Sequence, residues 1–160
     1  GADAFNVEIY DATSNLSSID VIRDFSTSQS DTLTLLESGV GLTSSNLRGN
    51  GTGFQAADFK GGTALDANTG FLVNSGSNSS DLNIATIISE LASGDSQNSI
   101  TASDAFFYLT DDGTNSRLFR FSDANNNAAV DSGELAGVVT LEDVSDATTI
   151  ADTLVIGFSS

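Results

Sequence analysis

The chain has 160 residues, with 22 acidic against 5 basic side chains, a formal net charge of −17, and no His, Cys, Pro, Met or Trp. Without His or Cys there is no Ser-His-Asp or Cys-His nucleophile system and no Cys/His zinc site, and haem or iron–sulfur ligation is hard to assemble. The negative balance argues against nucleic acid and anionic membrane surfaces, and no apolar run approaches the ~20 residues that span a bilayer. Oxygen-ligand chemistry remains, and it suits hard cations such as calcium.

At this length a single domain over 1–160 is expected, and 39% apolar residues with ten Phe suffice for a core. In residues 1–37, Phe5–Tyr10 alternates with Phe5, Val7 and Ile9 on one face. Ile19–Phe25 follows a polar turn over 11–18, and Asp31–Leu36 places Leu33 and Leu35 together. Residues 38–80 are Gly/Asn/Ser/Thr-rich, with short apolar pieces at Phe54, Phe59 and Phe71–Val73, and fit either a long surface excursion or small irregular strands. The one helix expected spans 81–92, capped by Ser80 and ended near Gly94. Leu82, Ile84, Ala85, Ile87, Ile88 and Leu91 give it an apolar stripe for the core.

Residues 101–160 open with a hairpin, Ala105–Thr110 and Arg117–Ser122, joined by an Asp/Gly/Asn turn. Gly137–Leu141, a polar turn or short helix over Ser145–Asp152, and a strand over Thr153–Phe158 complete the chain. The expected fold is mainly β, with antiparallel or β-roll-like sheets and one packed amphipathic helix.

Between the hairpin and Gly137 lies Asp123-Ala-Asn-Asn-Asn-Ala-Ala-Val-Asp-Ser-Gly-Glu134. It matches the twelve-residue EF-hand calcium loop at the first, third, fifth, ninth and twelfth places. Asp123, Asn125 and Asn127 offer side-chain oxygens, Ala129 its carbonyl, Asp131 a direct or water-mediated contact, and Glu134 a bidentate carboxylate. Calcium takes six to eight oxygens at ~2.3–2.6 Å, and a tight loop aims alternate side chains at one point. The sixth place, usually Gly in a sharp turn, is Ala128, where a left-handed backbone costs on the order of 1 kcal/mol. The entering segment reads as a strand where an EF-hand has a helix. An affinity of about 10⁻⁴–10⁻³ M is expected for such a cage.

Gly1-Ala-Asp3-Ala-Phe5, Asp20-Val-Ile-Arg-Asp24-Phe25 and Asp31-Thr-Leu-Thr-Leu35 together resemble the end of an RTX calcium-binding β-roll. The 105–158 region is similar to the C-terminal domains of type I-secreted bacterial proteins, and the full G-G-x-G-x-D array is missing. The resemblance implies an extracellular or cell-surface location, export by the type I secretion machinery, and Asp3, Asp20 and Asp24 as further calcium ligands.

Adjacent acids such as Asp111/Asp112 and Glu142/Asp143 point to opposite faces of a strand, so paired-carboxylate catalysis is not indicated and the chain reads as non-enzymatic. Phe106, Phe107, Tyr108, Phe119 and Phe121 suit a core better than a sugar platform. The leading expectation is a calcium-binding structural module of a bacterial surface assembly (S-layer, filament or adhesin) that binds copies of itself, with no nucleic-acid partner and no membrane insertion. The alternatives are an export and folding module of a larger secreted hydrolase, or a carbohydrate-binding module.

Overall fold

The computed structural model describes residues 1–9, 19–37, 54–59, 61, 63–93 and 98–157. The fold is mainly β, built among the described residues from a three-stranded and a six-stranded sheet with one α-helix of eight residues. Strands β1 (Ala4–Ile9), β3 (Thr32–Glu37) and β9 (Leu154–Gly157) form the smaller sheet in the order β1-β3-β9, parallel throughout. The larger sheet runs β2-β8-β7-β6-β5-β4. Its strands are β2 (Asp20–Ile22), β4 (Phe54–Ala57), β5 (Phe71–Asn74), β6 (Ala105–Asp111), β7 (Ser116–Ser122) and β8 (Leu135–Leu141). The pairs β6–β7 and β7–β8 are antiparallel, whereas β2–β8, β4–β5 and β5–β6 are parallel.

The pairing is mixed, antiparallel around β7 and parallel elsewhere, for a topological reason. Strands β1, β2 and β3 alternate between the two sheets, so each return to a sheet arrives in the same direction, and Ala4 pairs with Thr32. That is one coil of a roll. Strands β4 and β5 lie where the sequence reads as irregular, because four-residue strands are too short to display a period.

The two faces of the larger sheet bury separate clusters. Toward the smaller sheet, Phe71, Val73, Phe107, Leu109, Leu118, Val139 and Leu141 pack with Val7, Leu33 and Leu35. On the opposite face Leu72, Phe106, Tyr108, Phe119, Phe121 and Leu135 pack with Ile87 and Leu91 of the helix. Strands covered on both sides carry continuous apolar runs, and Ala105–Leu109 is such a run. All five aromatics of the hairpin are therefore core.

The helix α1 spans Ile84–Leu91, shorter than 81–92, and its cap is Asn83, whose side chain accepts the Thr86 N–H at 2.9 Å. Asp81 accepts the Asn83 N–H at 2.9 Å, forming the turn that leads in. Asn takes the capping role assigned above to Ser80, three residues earlier; both residue types cap well, so local preference alone does not place the start. Strand β8 carries a register shift opposite Leu118/Phe119, where Gly137 faces Phe119. A Cβ at Gly137 would meet the end of the Ile19 side chain, which would have to shift to admit it. The closing polar segment is a 3₁₀ helix over Ala147–Thr153. No helix among the described residues is long and apolar enough to cross a membrane.

Candidate metal centre

The acidic loop joins two antiparallel strands. Asp123 directly follows β7 and Glu134 directly precedes β8, so the strand-in, strand-out setting read from the sequence holds in the fold. The Ser122 N–H donates to the Glu134 carbonyl at 3.0 Å and closes the mouth of the loop. The Asp123 N–H donates to the Asp104 carbonyl at 2.8 Å, fixing the loop to the segment before β6. Val130 turns inward, 5% exposed, into the helix-side cluster. The loop is thus pinned at both ends and in the middle.

Inside this frame the proposed ligand residues converge. Asp123 is buried, and its carboxylate accepts the N–H groups of Asn127 (3.2 Å), Ala128 (3.1 Å) and Ser103 (3.1 Å). Glu134, also buried, reaches back across the loop to the N–H groups of Asn125 (3.1 Å) and Asp131 (3.3 Å), one through each oxygen. The amide groups of Asn125 and Asn127 both donate to the same oxygen of Asp131, at 3.1 and 2.7 Å. Their own amide oxygens accept the N–H groups of Asn127 and Ala129, each at 2.9 Å. Five side chains from alternate places, 123, 125, 127, 131 and 134, are linked to one another through the loop.

The backbone makes the turn that the sixth place demands. Ala128 has φ 57° and Asn126 φ 58°, both left-handed. Asn tolerates this region and Ala does not, so the loop holds Ala128 there at a cost of roughly 1–2 kcal/mol. Three hydrogen bonds oppose that cost: Ala128 to Asp123, Asn127 to Asp123, and the Ser103 hydroxyl to the Asn126 side chain.

The donor set fits a hard cation in kind. Three carboxylates and two amide oxygens are hard oxygen donors, and the groups that donate to the three carboxylates here are all neutral N–H groups. Counted by carboxylates alone the set is sparse. Among the described residues no three or more His, Cys, Asp or Glu side chains are grouped so as to hold a metal. A cation at the loop would depend on the amide oxygens and a backbone carbonyl as much as on charge.

The other expected ligands lie apart from one another. Asp3 precedes β1 in the smaller sheet, Asp20 opens β2 in the larger one, and Asp24 follows that strand; all three side chains are exposed. Near Asp3 the buried acid is Asp31, which accepts the N–H groups of Asp3 (2.8 Å) and Ser26 (2.7 Å) and so clamps β1 to the turn before β3. The sequence signal for that clamp is an acid set between a Ser-rich turn and a strand.

A second buried polar group lies under the helix. The Ser79 hydroxyl donates to Glu90 at 2.7 Å and shares a 3.0 Å hydrogen bond with Thr110, beside Asn74. Burial pushes the nearby Tyr108 phenol above its ordinary value, with Thr110 opposing and the Glu90, Asp58 and Asp111 carboxylates adding to the shift. Arg117, half-buried, is lowered by desolvation against the pull of Asp112; it donates to the Leu82 carbonyl at 2.7 Å.

No family model matches the chain, no curated protein matches its sequence and no solved structure matches its fold.

Proposed function

We propose that this chain is a non-enzymatic, calcium-stabilised structural module of a bacterial extracellular assembly, an S-layer, filament or adhesin exported by type I secretion. The observation that carries the reading is the loop 123–134. Oxygen-bearing side chains from its first, third, fifth, ninth and twelfth places are tied together around a sixth residue, Ala128, held at φ 57°. A solvated turn gains nothing from a strained alanine. A loop that positions ligands for an ion does, since the ion's binding free energy is added to the folded state alone.

The coil β1-β2-β3, which alternates between the two sheets and pairs β1 with β3 in parallel, adds support, because a roll of this kind is what the RTX resemblance of Asp3–Phe5, Asp20–Phe25 and Asp31–Leu35 implies. The charge supplies a rationale for export. At low cytosolic calcium the 17 excess negative charges oppose compaction and keep the chain threadable. Outside the cell, calcium offsets that repulsion and favours folding.

Calorimetric titration of the whole chain with calcium tests the reading. One equivalent or more, binding at about 10⁻⁴–10⁻³ M and lost in Glu134→Gln, is the expected result. Equal heats in the parent and in Glu134→Gln would remove the loop as the site.

A further inference from the structure

The order of strands gives the molecule two ends with the same polarity. In the larger sheet β2 runs parallel to β8, β8 is antiparallel to β7, β7 is antiparallel to β6, and β6, β5 and β4 are mutually parallel. The outer strands β2 and β4 therefore point the same way. In the smaller sheet β1 and β9, the outer strands, also share a direction through β3. The ends coincide in the two layers. Strand β1 contacts β8, the neighbour of β2, and the 3₁₀ segment leading into β9 contacts β5, the neighbour of β4. Among the described residues no strand pairs with the outer side of β2 or β4, or of β1 or β9.

The outer strands of the larger sheet are short, three residues in β2 and four in β4, but two other usual protections are scarce. Edge strands are commonly blunted by Pro or Lys, and this chain has no Pro and one Lys. The two large apolar side chains that stand exposed among the described residues lie on these outer strands, Val21 on β2 (46% exposed) and Phe54 on β4 (51%). Phe54 also ends a ladder. It pairs with Phe71, which pairs with Phe107, with ring centroids 6.1 and 6.3 Å apart, and the Phe54 ring leaves the stack open at the edge.

We propose that copies of this chain stack end on end, the β2 edge of one meeting the β4 edge of the next, with β1 and β9 edges meeting in the second layer. Equal polarity at the two ends means the added copy continues both sheets with parallel strands and presents the same open end again. Such a contact is heterologous and does not close, so it generates a filament. Backbone hydrogen bonds across the junction supply affinity, as in other strand additions. The charge of −17 on each copy opposes stacking, so growth requires calcium or high salt. The inference rests on the surface-module reading and names the surface through which it assembles.

Sedimentation velocity on the full chain in millimolar calcium, with the single variants Val21→Asp and Phe54→Asp, tests it. Both positions are exposed, and melting curves matching the parent's certify the fold. The expected result is polymer that grows with parent concentration, loss of polymer in each variant alone, and a one-to-one dimer when the two variants are mixed. In that mixture the single intact β2 edge meets the single intact β4 edge. A parent that stays monomeric in calcium while calcium raises its melting temperature would overturn stacking and leave the calcium reading intact. Polymers without any calcium effect on melting would keep stacking and remove the calcium reading. A closed two-fold dimer, or polymer from either variant alone, would overturn the end-on geometry.

Discussion

Strand β7 has an acidic connection at each end, and the two use their carboxylates differently. In the tight turn from β6, Asp112 accepts the N–H groups of Thr114 (2.9 Å) and Asn115 (2.8 Å), and Gly113 takes the positive φ of 83°. Asp111 accepts Gly113 (3.0 Å) and reaches Ala147 (3.0 Å). Both acids there accept backbone N–H groups of the same turn, and neither accepts from another side chain among these bonds. In the 123–134 connection to β8, Asp131 gathers the amides of Asn125 and Asn127 on one oxygen, Glu134 spans back to Asn125, and an alanine occupies the left-handed position. Acid content does not distinguish the two connections. The hydrogen bonds that tie the side chains of 125, 127 and 131 together, and the left-handed Ala128, do.

Substitutions in the two connections sharpen that contrast. The largest effect is expected for Asp123→Ala, which strips the acceptor from three N–H groups in a buried site and should cost about 3 kcal/mol in urea unfolding without calcium. It should also abolish any calcium dependence of the unfolding midpoint. Asp111→Ala removes the acceptor of two N–H groups, one of them buried, so a loss of about 2 kcal/mol is expected with the calcium dependence intact. A calcium response lost in Asp111→Ala and kept in Asp123→Ala would reverse the comparison.

Alkaline unfolding probes the core between the two connections. The Tyr108 phenol is raised in the folded state, so the unfolded chain loses its proton first. Its contribution is complete below the unfolded value near 10 and falls as pH rises, by about 1.4 kcal/mol per pH unit until the folded value is reached. Tyr108→Phe should remove that slope in pH-dependent denaturation. The smallest effect is expected for Ala128→Gly. Relief of roughly 1–2 kcal/mol of left-handed strain is offset by about 0.5–1 kcal/mol of added chain entropy. A net gain of under about 1 kcal/mol should appear in thermal melting, and a loss would mean Ala128 is not strained.

Much of this was legible in the residues, where the information is local. The hairpin 105–122, the buried pair Leu33 and Leu35, the loop with its awkward Ala128, and the helical stripe through Ile87 and Leu91 all follow from spacing and turn chemistry. What escaped was set by distant partners. The direction of β4 and β5 depends on β6, more than thirty residues on from Phe71, and four-residue strands such as Phe71–Asn74 carry no period of their own. Of the Asp31 clamp only the local half, the Ser26 N–H, has a sequence signal, because Asp3 meets Asp31 only when β1 and β3 pair. The last residues of two expected strands, Tyr10 and Phe158, and the Gly94 helix stop lie outside the described residues.

In the proposed function, loop 123–134 holds calcium as part of the folded structure. Thermal melting over a calcium titration, on the parent and on Asp123→Ala/Glu134→Ala, tests it most directly. The account predicts a melting temperature that climbs with calcium in the parent and stays flat in the double variant. Parallel climbs in both, or no climb in the parent, would contradict it.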